Sequence, residues 1–168
     1  MKYCLLLIVL AIFTLPAAAQ TIGSVTSLSP EGQKAYQTLL TATQFTIGPA
    51  GFAGAPSNEE TALRALLHEA TAEQAWENLV TDANYEGGLY GLLGLRLLKS
   101  HTFPQQLEKY RVREPPRQRI VGGMKVGDGQ IISMSGCFIL RVAWTETLSQ
   151  LEAGAFDKQF TLDGNRPR

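Results

Sequence analysis

The sequence predicts a mainly α fold, a bundle of short antiparallel helices with a small C-terminal β-hairpin, for which α+β is the alternative label. Three observations carry that prediction. Apolar residues recur at three-and-four spacing from residue 58 to 99, helix-start signals stand between those runs, and the period shortens beyond Pro115-Pro116. With 168 residues, 45% of them hydrophobic, the chain is long enough for one domain with a sizeable core.

Met1 to Ala19 reads as a signal peptide: Lys2 is followed by the apolar run Leu5 to Leu15, then by Pro16 and the small residues Ala17-Ala18-Ala19. That run is well short of the roughly 20 apolar residues of a spanning helix. Cleavage is therefore expected near Ala19-Gln20, leaving an exported protein, periplasmic or extracellular, that is not an integral membrane protein. Residues 20–28 are expected to be a flexible leader, 29–160 a single helical domain, and 161–168 a frayed tail.

Each element has a local reason. Ser29-Pro30-Glu31 supplies an N-cap, a proline at the first helical position and an acid at the positive end of the dipole. That helix, carrying Tyr36, Leu39 and Leu40, is predicted to run to about Thr43. Gly48 to Pro56 has too many glycines and prolines for a regular element, and Phe52 within it is expected to fold back as an apolar plug on the core. An anion-binding use is disfavoured there, because no Lys-Ser or Lys-Thr ends the loop and Glu59 and Glu60 follow.

Ser57-Asn58-Glu59-Glu60 has the capping-box form, opening a helix with Leu63, Leu66, Leu67 and Ala70 on one face. Thr71-Ala72-Glu73-Gln74 repeats the signal before Ala75, Trp76, Leu79, Val80 and Ala83. A third helix, Tyr85 to Lys99, carries Gly88, Gly91 and Gly94 at every third position. Each glycine costs a helix roughly 1 kcal/mol relative to alanine. Close approach of a neighbouring helix explains them, and a bound peptide or small ligand in the same groove is the alternative.

A short helix is predicted to end near Tyr110. Beyond it, short strands near 119–134 are expected to form a hairpin turning at Gly127-Asp128-Gly129. Residues 138–153 read either as a third strand followed by a helix from Glu146, or as one continuous helix.

The abutting helices from Asn58 to Ala83, with a third directly after them, resemble the helical hairpins of HEAT-type α-solenoid proteins over residues 58–99. That resemblance implies a scaffold presenting a face to a partner. A weaker resemblance is to small exported bacterial proteins of unassigned function, through the Leu-Tyr-Gly-Leu-Leu-Gly-Leu helix and the later Gly-Cys.

Charge and motifs narrow the function. The 15 basic and 15 acidic residues balance, which argues against a nucleic-acid binder. Cys137 is the one cysteine after processing, so an internal disulfide is excluded. Phe138, Ile139 and Leu140 beside it predict burial, where the thiol acts as a small hydrophobe. The alternatives are a homodimer disulfide through Cys137, or a nucleophile served by His68 or His101 as base. His68-Glu69 begins a zinc-protease pattern, but residue 72 is Ala, so no metal site is predicted. Asp128 alone is far short of a calcium site. No nucleotide or serine-hydrolase signature occurs, and no cofactor is called for.

The remaining imbalance is the basic connector 109–119, with Lys109, Arg111, Arg113, Arg117 and Arg119. The role expected from these features is that of a non-catalytic interaction or accessory protein of the cell envelope. It would bind a protein or envelope component through the helical groove or the connector. The alternative is a small hydrolase or thiol enzyme using Cys137 with His68 or His101.

Overall fold

A computed structural model describes residues 27–160. The expected signal peptide, most of the leader and the tail lie outside the described residues. The fold is mainly α with β structure near its C-terminal end: six α-helices and two two-stranded antiparallel sheets among the described residues. Their order is α1 (Pro30–Leu40), α2 (Asn58–Leu67), α3 (Glu73–Asp82), α4 (Tyr85–Leu97), α5 (Phe103–Arg111), β1 (Arg119–Val121), β2 (Met124–Val126), β3 (Gln130–Ser135), β4 (Phe138–Ala143) and α6 (Trp144–Glu152), followed by a 3₁₀ turn, Asp157–Phe160.

Helix starts follow local chemistry where a capping side chain is present. Ser29 Oγ accepts from the Gly32 N–H at 3.0 Å, Ser57 Oγ from the Glu60 N–H at 3.0 Å, and Asn84 Oδ1 from the Gly87 N–H at 2.9 Å. Two predicted caps are not made. Thr71 does not cap α3, whose N-cap residue Ala72 has no side-chain bond. The reciprocal half of the capping box is also missing, because the Glu60 carboxylate is engaged elsewhere, by Gly48 N–H and Arg64.

The helices pair differently from the order of their start signals. Consecutive α2 and α3 do not form the principal hairpin; α2 packs on α1, and α3 on α4. Glu69, just past α2, meets Ser29 at the start of α1, while Gln44 Nε2 reaches Glu59 Oε2 at the other end, so α1 and α2 run antiparallel. The glycines of α4 set the second pair. A Cβ on Gly91 would stand 2.8 Å from Val80 N and 2.9 Å from Trp76 O. Gly94 faces the Trp76 ring and Gly88 the Tyr110 ring, each too closely for any side chain. Helix α4 is consequently buried almost all round, and the core spreads from it through Leu39, Leu63, Leu66, Leu79, Leu92 and Leu151. Leu28, counted with the leader by its sequence, is buried in that core.

The C-terminal part corrects the single-hairpin expectation. Strand β1 pairs with β2 and β3 with β4, giving two hairpins. Their turns are Gly122-Gly123, both at positive φ, and Gly136-Cys137, with only the glycine at positive φ, as type I′ and II′ turns require. Gly127-Asp128-Gly129 joins the two sheets instead. Asp128 Oδ1 accepts from the Gln118 N–H at 2.6 Å, and Gly129 O accepts from the Trp144 N–H at 2.9 Å. Residues 138–153 are therefore strand then helix, since β4 spends its inner peptide groups on β3 before the chain turns at Trp144.

Candidate functional site

Two segments without a charged residue, 47–58 and 129–140, are brought together. The loop between α1 and α2 is fixed at its base by Glu60, whose carboxylate accepts from the Gly48 N–H at 2.6 Å while Arg64 donates to the other oxygen. Ala50 and Ala55 pair across the loop. Its near side is bonded to the β3–β4 turn: Gly51 N–H donates to Gly136 O at 2.7 Å, and Gly136 N–H to Pro49 O at 3.2 Å. A loop this rich in glycine is held by backbone bonds, not by burial of its side chains.

Phe52 stands at the tip of that loop, 99% exposed, which overturns the expectation that it plugs the core. A side chain placed on Gly51 would meet open space. On β4, Phe138 is 75% exposed, Ile139 50% and Leu140 41%. Alternate residues of a strand lie on opposite faces, so the end of the hairpin stands clear of the core on both. A phenylalanine left in water forgoes roughly 1.5–3 kcal/mol of burial energy. Phe52, Phe138, Ile139 and Leu140 are thus four large apolar side chains exposed on two segments that carry no charged residue.

Support for the patch comes from below. Strand β3 has its outer edge covered by the chain after α1: Phe45 N–H donates to Ile132 O at 2.8 Å and Met134 N–H to Thr46 Oγ1 at 3.0 Å. Thr46 is in turn gripped by Tyr90 of α4, whose hydroxyl donates to Thr46 O at 3.0 Å and accepts from Thr46 N–H at 2.9 Å. Burial pushes the Tyr90 hydroxyl well above its ordinary pKa, so it stays protonated to make both bonds. The hairpin is thus tied to the helical core through Phe45 and Thr46 and through the buried Ile131.

The chemistry available beside the patch is slight. A cavity of about 90 Å³, lined by Phe45, Ile47, Val142, Glu146, Gln150 and Phe156, is well below the roughly 300–1,000 Å³ of small-molecule sites. Among the described residues no group of His, Cys, Asp and Glu could hold a metal ion.

The sequence candidates separate. Cys137 is exposed, contrary to the expectation of burial, because it occupies the second position of the β3–β4 turn and its apolar neighbours are themselves exposed. His68 caps the C-terminal end of α2, whereas the turn holding Cys137 is bonded to the loop that leads into that helix's N-terminus. Ten helical residues, about 15 Å, intervene. His101 lies beside Glu73 at the start of α3, 3.9 Å from its carboxylate. Neither histidine is hydrogen-bonded to the thiol.

Each residue of the basic connector has a partner elsewhere in the chain. Lys109 Nζ donates to Thr81 Oγ1 at 3.0 Å, Arg111 bridges Glu108 and Glu152, and Arg113 donates to Ala83 O while lying over Tyr85 and Tyr110. Arg117 meets Glu114, and Arg119 pairs with the buried Glu86. The glycine groove of α4 is likewise filled, by Trp76, Val80 and Tyr110.

Phe52, Phe138, Ile139 and Leu140 were not legible as a site from hydrophobicity, which predicts burial. Two signals point to them: both segments lack charge, and Gly-Cys reads as a tight hairpin turn. No family model, curated protein or solved structure matches this chain. Fold and exposed residues together define a mainly helical protein that displays apolar side chains on one loop and one hairpin.

Proposed function

We propose that the chain is an exported, non-catalytic interaction protein that works by contact through the surface formed by Phe52, Phe138, Ile139 and Leu140. One observation carries the reading: large apolar side chains held in solvent by a backbone-bonded loop and hairpin. The reading favours this surface over the glycine groove, which Trp76, Val80 and Tyr110 fill. Export rests on the pattern of Met1 to Ala19.

A photo-crosslinking residue placed at Phe52 or Phe138 in the full chain tests the reading. Covalent adducts are expected from those positions in the exporting cell and not from Glu77 on α3. Equal adducts from all three positions, or none from any, would overturn it. Export is checked on the same material by the mass of the recovered chain, which should begin at or close to Gln20.

A further inference from the structure

We infer that the partner of this surface is a phospholipid bilayer: the loop tip at Phe52 and the hairpin tip at Cys137 and Phe138 enter its interfacial layer side by side, with Arg141 at the level of the phosphates. This rests on the contact-surface reading and names its partner. The first ground is direction. Ala50 and Gly136 bridge in parallel, locked by Gly51 N–H to Gly136 O at 2.7 Å and Gly136 N–H to Pro49 O at 3.2 Å. Both chains therefore leave the bridge the same way, and Phe52 and Cys137 project beyond the same end of the molecule. Residues 52–56 and 135–140 are exposed throughout. A side chain added at Gly136, as at Gly51, would meet open space. Projecting tips suit a fluid interface, which moulds round them without a complementary groove.

The second ground is the order of chemistry behind the tips. Segments 47–58 and 129–140 hold no charged residue. Along β4 the order is Phe138, Ile139, Leu140 and then Arg141, all four exposed. At about 3.4 Å per residue, Arg141 stands about 10 Å behind Phe138. That matches the roughly 5–10 Å to which interfacial elements sink, and puts a cation where the phosphates lie. Arg141 has no ion pair among the described residues, so its guanidinium is available to a phosphate oxygen. The acids that follow the other segment are engaged. Glu60 is buried against Arg64 and the Gly48 N–H, and Glu59 accepts from Gln44.

The third ground is the backbone. Peptide groups leave water at low cost only when they are already hydrogen-bonded. In the loop, Ala50 N–H is bonded to Ala55 O at 2.9 Å and Gly54 N–H to Gly51 O at 3.2 Å, while Pro49 and Pro56 have no N–H. In the hairpin, Ser135 and Phe138 are partners across the turn, and Pro49 takes the Gly136 N–H. The apolar content is small, two phenylalanines with parts of Ile139 and Leu140. Binding is therefore reversible, comparable to that of a single acyl chain at about 10⁴ M⁻¹.

The test is co-sedimentation of the mature chain, in reductant, with vesicles of phosphatidylcholine alone and of phosphatidylcholine with about one-third phosphatidylglycerol. At about 1 mM lipid most of the chain should pellet with the mixed vesicles. Phe52→Ser/Phe138→Ser should lower the partition constant at least about tenfold on both compositions. Helical circular dichroism checks that this variant is folded. Arg141→Gln should lower the constant about fivefold on the mixed vesicles and leave it unchanged on phosphatidylcholine alone. Depth is read independently: a polarity-sensitive dye on Cys137 should shift to the blue when vesicles are added, and the same dye on Glu77→Cys in a Cys137→Ser background should not. Absence of binding to either vesicle, binding undiminished in the double serine variant, an Arg141→Gln variant equal to the wild type on mixed vesicles, or equal dye shifts at both positions overturns the proposal. Protein adducts from positions 52 or 138 without vesicle binding also overturn it, while leaving the contact surface in place.

Discussion

Tyr90 and Thr46 add two buried hydrogen bonds to the connection between helices and hairpin. Tyr90→Phe keeps the ring but leaves the Thr46 N–H and C=O without their partner, so a loss of about 1–3 kcal/mol is expected in urea unfolding. Gly94 is the tightest test of helix packing. Any Cβ there meets the Trp76 ring, and Gly94→Ala should lose about 1–3 kcal/mol although alanine favours helix. Glu86 is buried at the start of α4 beside Arg119, and burial raises its carboxyl above the ordinary value of 4.5 while Arg119 draws it back in part. The folded state therefore holds the proton more tightly than the unfolded chain. Its contribution to stability is full below about pH 4.5 and is lost as pH rises through the folded pKa. Glu86→Gln has no such loss, so the stability of the wild type relative to this variant should fall as pH rises above about 4.5, read from urea midpoints. A difference that is flat or rises with pH would contradict that assignment.

At the scale of elements, the turn that holds Cys137 has a direct check. Because the thiol is exposed, alkylation in the folded protein should proceed within a few-fold of the rate in urea; protection until unfolding would contradict the hairpin. The helices themselves were readable in advance because Ser29, Pro30 and Ser57 act on the first turn that follows them, a purely local effect. Their partners were not. The apolar faces of α2 and α3 look alike, and the pairing of α3 with α4 is made where Gly91 admits the backbone of Trp76 and Val80. The strands were readable by period, but the turn was assigned to Gly127-Asp128-Gly129 when Gly122-Gly123 matched the type I′ requirement better. The contact surface escaped for a similar reason. Hydrophobicity at Phe52 or Phe138 says nothing about whether the backbone around it reaches the core, and here hydrogen bonds to Gly48 and Gly136 hold it away.

Across the whole molecule, stability and contact fall to different residues. Helices α1 to α4 bury Trp76, Leu39, Leu63, Leu66 and Leu92, whereas Phe52 and Phe138 add almost nothing to the folded chain by itself. The connector arginines belong to the first group, for Arg111, Arg113 and Arg119 join α6, the start of α4 and the two sheets to the bundle. The most direct measurement of that division is urea unfolding of Phe52→Ser/Phe138→Ser at submicromolar protein, where association does not contribute. The account predicts an unfolding free energy within about 0.5 kcal/mol of the wild type, the range of substitutions at exposed positions. A loss of about 2 kcal/mol or more would mean that these rings pack on the core, and would contradict the assignment of this surface to contact.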